Sequence, residues 1–107
     1  MPVAALLAIA IAAEVAATIS LRYSDGFSKP LPSAIVVVGY ATSFWLLSLI
    51  LKELSVGTTY AIWAGAGTAV IAVIGIVALG EPATAIKLAS IALIVAGVVG
   101  LNLSGAH

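Results

Sequence analysis

Residues 3–21 read VAALLAIAIAAEVAATISL. The stretch is apolar except for Glu14 and a few small polar residues. A helix rises 1.5 Å per residue, so about 20 mostly apolar residues cross about 30 Å of hydrocarbon. This run is long enough, and it sets the class of the whole chain. No Lys or Arg precedes it and a carboxylate sits inside it, which argues against a cleaved signal peptide.

Working outward, the same pattern recurs three times. Arg22, Asp25 and Lys29 cluster with Gly26, Pro30 and Pro32 as a first loop. Residues 33–51 form a second apolar span. Lys52 and Glu53 open a connection ending near Gly57. Residues 58–79 form a third span, Gly80-Glu81-Pro82 a turn, and residues 85–103 a fourth span, with Thr84 as its cap. The expectation is an all-α membrane protein, a single domain over 1–107 with four transmembrane helices. Short loops make neighbouring helices antiparallel.

Composition agrees. The 107 residues are 64% hydrophobic and 7% charged, against roughly 25% charged in a soluble domain. Too little polar surface exists for a globular enzyme or a disordered segment. Four Lys+Arg against four Asp+Glu leave no basic patch for nucleic acid. No cysteine is present, and His107 alone cannot build a metal site. No cofactor is implied. Arg22, Lys29 and Lys87 flank the loops of one side and Lys52 marks the other. That weak asymmetry fits either insertion in both orientations or a single one.

Seven of the eight charged side chains mark loops or helix ends; Glu14 lies within a span. An Asp at a helix centre costs about 2.5–3.5 kcal/mol on an insertion scale, so ionisable residues there face protein and mark ion pathways. A carboxyl held in hydrocarbon suits the exchange of a proton for a cation. Its helical neighbours are Ala10, Ile11, Ala17 and Thr18. Small side chains there leave room for a ligand, or they pack helices closely; both readings stand. One carboxylate and four short helices enclose little by themselves, which argues for a homo-oligomer around a shared cavity.

Aromatic rings attract cations through their faces. Tyr40 and Phe44 share a face of the second span, with Ser43 adjacent. Tyr60 and Trp63 share a face of the third. Trp63 is read into the cavity, whereas Tyr60 fits the cavity and the interface equally. Tyr23 and Phe27 belong to the interface. Gly65 and Gly67 serve either as a hinge or as a packing face. Ala92, Ala96 and Gly100 form a small-residue ladder in the fourth span, with Gly97 beside it, which reads as the oligomer contact.

Several of these runs resemble the small multidrug resistance (SMR) family. They are Ala13-Glu14-Val15 with Thr18, Tyr23-Ser24-Asp25-Gly26-Phe27, and Tyr40 with Ser43-Phe44-Trp45-Leu46-Leu47. Gly57-Thr58-Thr59-Tyr60-Ala61-Ile62-Trp63, Gly80-Glu81-Pro82, Gly97 and Asn102 extend the resemblance over nearly the whole chain. The resemblance implies an antiparallel, dual-topology homodimer in the bacterial inner membrane. It implies proton-driven export of hydrophobic cations by alternating access. Glu14 of both protomers would be the shared proton and substrate site. Tyr40, Tyr60 and Trp63 would contact the cation, with Thr18, Ser43 and Phe44 behind them. Gly65 to Gly67 would match the kink of the third helix, and Gly97 the dimer face.

Guanidinium exporters of the family usually carry Trp where this chain has Ala17, and tend to lack Tyr at position 40. The residues here therefore resemble the quaternary-ammonium branch. That branch usually has Gly at position 17, so the Ala17 methyl is expected to narrow the cavity. Guanidinium export, or service as an accessory subunit of a heteromeric complex, are the competing expectations.

Overall fold

The computed structural model describes residues 1–104; His107 lies outside them. The described residues form four helices: α1 (Val3–Tyr23), α2 (Pro30–Ile50), α3 (Val56–Ala78) and α4 (Ala85–Leu103). Each is long and apolar enough to cross a membrane. They group into two helical hairpins, one over Met1–Glu53 and one that begins at Leu54.

Three helix ends differ from expectation for local reasons. Helix α1 runs through Arg22 and Tyr23, placing Arg22 in its last turn, where a cation complements the helix dipole. Helix α2 begins at Pro30 rather than at residue 33. Proline is welcome in a first helical turn, where an N–H has no intrahelical acceptor. Helix α3 begins at Val56 because the Ser55 hydroxyl accepts from the Thr58 N–H. Gly57 is therefore helical and not part of the connection. The expected cap of α4 is present: Thr84 Oγ1 accepts from the Lys87 N–H at 3.1 Å.

The α1–α2 turn is built on Ser24, which is fully buried. Its hydroxyl donates to the Leu21 carbonyl and accepts from the Phe27 N–H. Its carbonyl accepts from the Ser28 and Lys29 N–H groups. Asp25, Gly26 and Phe27 all take left-handed backbone angles to close this turn.

In the first hairpin α2 buries Val36, Ser43, Leu46, Leu47 and Ile50. Ala10, Val15 and Ala17 are the buried residues of α1. Small residues at the contact let the two backbones approach. In the second hairpin α3 is one continuous helix, and it buries Thr59, Ile62, Gly67, Ala69 and Gly75. Helix α4 buries none of its residues. At the α3–α4 turn, Gly80 adopts a φ of +72° and brings the Glu81 N–H onto the Gly75 carbonyl. Glu81 then pairs with Lys87 at 3.6 Å.

Candidate functional site

Glu14 sits near the middle of α1, held from one side. Thr18, one turn later, donates its hydroxyl to Glu14 Oε1 at 2.9 Å. Thr18 Oγ1 also lies 2.5 Å from the Tyr40 hydroxyl of α2. A threonine has one hydroxyl proton. While Thr18 spends it on Glu14, Tyr40 must be the donor to Thr18. The result is a directed chain from Tyr40 through Thr18 to the carboxyl. The other oxygen, Glu14 Oε2, is buried and makes no hydrogen bond among the described residues. A buried polar atom without a partner costs roughly 1–3 kcal/mol. A hydrogen-bond donor or a cation beside Oε2 removes that cost.

The surrounding small residues are committed to helix packing. Ala10 and Ala17 are fully buried. The Ala10 carbonyl accepts a hydrogen bond from Ser43 at 2.7 Å. Ala17 faces Gly39 so closely that a Cβ built on Gly39 would stand 2.8 Å from the Ala17 Cβ. Of the two readings of this stripe, Ala10 and Ala17 take close packing. Within the hairpin the Ala17 methyl faces α2 at Gly39. Ile11 is only partly buried. Phe44 is 56% exposed.

In the second hairpin Tyr60 and Trp63 are brought together, their ring centroids 5.9 Å apart and tilted by 43°. Such a pair presents two π faces near one end of α3. Tyr60 is 63% exposed. Beside it, the Thr59 hydroxyl is buried without a hydrogen bond among the described residues. Gly65 faces Val98 and Ile94 of α4, and Gly67 is buried. Ala92, Ala96, Gly97 and Gly100 are all exposed on α4. A Cβ added at Gly97 or Gly100 would meet nothing within 4 Å.

The family model described as Small Multidrug Resistance protein matches residues 4–94. The chain belongs to the small multidrug resistance family. Among its SMR relatives is the quaternary ammonium compound-resistance protein QacE of Escherichia coli, 46% identical over 97 residues, covering 91% of this chain and 88% of that one. A guanidinium exporter of Escherichia coli K12 is 48% identical over 99 residues, covering 92% and 94%. A multidrug transporter of Pseudomonas aeruginosa is 46% identical over 97 residues, covering 91% and 88%. SMR membership with four span-length helices makes this a multi-pass transporter of the bacterial inner membrane, not an enzyme.

Three features of this SMR chain escape a reading of sequence. The Tyr40–Thr18 bond joins residues 22 positions apart, and only the rotation of α2 on α1 creates it. Gly39 gave one signal, a glycine directly before the expected site tyrosine. The buried Thr59 hydroxyl gave none.

Proposed function

We propose that the chain is a proton-coupled antiporter exporting hydrophobic cations of the quaternary-ammonium type. Proton and cation compete for Glu14. The observation that carries this reading is the Glu14 carboxyl itself. It lies inside a span, is fixed through Oε1 by Thr18 and Tyr40, and has a buried, unpartnered Oε2. A cation arriving at Oε2 favours the carboxylate, so the proton leaves. A returning proton neutralises the carboxylate and frees the cation. Exchange follows when the same carboxyl is reached from each side in turn.

Tyr40, Tyr60 and Trp63 supply aromatic faces for the cation, with Thr18, Ser43 and Phe44 as supporting contacts. The transporting unit is an antiparallel homodimer in which both Glu14 residues share one cavity. The exposed α4 face of Ala92, Ala96, Gly97 and Gly100 supports the dimer contact. Gly65 and Gly67 serve as the hinge of α3.

A second reading, guanidinium export, is favoured by one observation: relatives named guanidinium exporters are as similar as QacE. Tyr40 and Ala17 support the quaternary-ammonium reading. Proteoliposomes with an imposed pH gradient separate the two. Proton-driven exchange of tetraphenylphosphonium, lost in Glu14→Gln, is the expected result. Exchange of guanidinium alone would overturn the substrate class. Exchange of neither by correctly inserted protein would point to an accessory subunit.

A further inference from the structure

A close contact of α1 with α2, Ala17 against Gly39, lies one residue from the Glu14 hydrogen-bond chain on both helices. Ala17 precedes Thr18, and Gly39 precedes Tyr40. We propose that Ala17 and Gly39 are a matched pair of positioning residues: together they set the helix separation at which Tyr40 reaches Thr18, and so hold Glu14 in place. The proposal rests on the reading of Glu14 as the proton and cation site.

The geometry is tight and rigid. A Cβ at position 39 would stand 2.8 Å from Ala17 Cβ, 3.0 Å from the Ala13 carbonyl oxygen and 3.4 Å from Ala17 Cα. Carbon atoms normally rest about 3.5–4.0 Å apart. All three neighbours are backbone or Cβ atoms, which no rotamer change can move. Ala17 is fully buried, so α1 has no open side there into which its methyl can shift. A methyl at position 39 therefore parts the helices, by roughly 0.7 Å on those contact distances. The Thr18–Tyr40 oxygens are 2.5 Å apart. Opening by that amount takes them past the roughly 3.0 Å limit of a good O–H···O bond. Position 17 thus acts on substrate through helix spacing. Its methyl fills the space that the missing side chain of Gly39 leaves.

The pair predicts its own rescue. Exchanging the two residues, as Ala17→Gly with Gly39→Ala, removes the 2.8 Å conflict and leaves the 3.0 Å contact with the Ala13 carbonyl oxygen and the ordinary 3.4 Å contact with the residue-17 Cα. Most of the original spacing returns.

The test compares the unmodified chain, Gly39→Ala and the exchanged double variant in lipid bilayers. Two readouts are taken: tetraphenylphosphonium affinity, and the ring 13Cζ resonance of Tyr40, which reports its hydroxyl bonding and is assigned with Tyr40→Phe. Gly39→Ala is expected to move the Tyr40 resonance and weaken binding about tenfold, the worth of one hydrogen bond. The double variant should recover most of both. An unshifted resonance and unchanged affinity in Gly39→Ala would overturn the proposal. So would a double variant no closer to the original than Gly39→Ala. If Gly39→Ala does not fold, a folded double variant with the original resonance supports the pair, and an unfolded one refutes it. If the unmodified chain binds no cation and releases no proton, the Glu14 reading fails, while the Tyr40 resonance still decides the pair.

Discussion

The two hairpins use glycine in opposite ways. In α1–α2, Gly39 stands against the Ala17 Cβ and the Ala13 carbonyl, atoms that cannot swing away. In α3–α4, Gly75 stands against the Glu81 carboxylate, whose Oε1 occupies the place a Cβ would take. The second overlap is the shorter, yet it is the cheaper to relieve. Glu81 is the far end of a flexible side chain, and its partner Lys87 is itself part-exposed. Closeness alone does not measure constraint; what matters is whether the neighbour can move. The first hairpin is fixed by backbone packing and buried hydroxyls. The second leaves α4 without a buried residue.

That contrast can be broken or sharpened by substitution. The largest effect is expected from Gly97→Leu. A Cβ there would meet nothing within 4 Å, so a loss points to a contact with another copy. Size-exclusion chromatography in mild detergent should shift from dimer to monomer, with exchange activity lost. A dimer of unchanged stability would remove α4 as the contact. Next is Thr18→Val, which leaves both the Tyr40 hydroxyl and Glu14 Oε1 without their partner. At roughly 1–3 kcal/mol per orphaned group, cation affinity should fall about tenfold to a hundredfold by calorimetric titration. Tyr40→Phe removes one bond and orphans no acceptor on Glu14. Its loss should be smaller, about 0.5–1.5 kcal/mol, and the two substitutions together should cost less than their sum.

The smallest effect is expected from Gly75→Ala. Glu81 swings outward, and a part-exposed ion pair is worth at most about 1 kcal/mol. Alanine returns up to about 1 kcal/mol of helix propensity. The thermal unfolding midpoint should move little, and by less than in Gly39→Ala. A larger drop in Gly75→Ala would reverse the ranking of the two hairpins.

The four spans were legible because hydrocarbon imposes a length and expels charge. Their ends were less so. Pro30 and Pro32 look like loop residues, but a first helical turn accepts proline; Gly57 looks like a breaker, but Ser55 caps the helix ahead of it. Within the candidate site, pairs on one helix followed from the 3.6-residue period: Glu14 with Thr18, and Tyr60 with Trp63. Contacts across helices did not. Which face of α2 meets α1 depends on where small residues permit close approach. That choice places Tyr40 on Thr18 and Ala17 against Gly39.

The central claim is that one carboxyl exchanges a proton for a cation. It is tested most directly by measuring protons released when tetraphenylphosphonium is added to the purified, lightly buffered protein. The account predicts release from the unmodified chain and none from a folded Glu14→Gln variant. Equal release from Glu14→Gln would place the exchangeable proton elsewhere and contradict it.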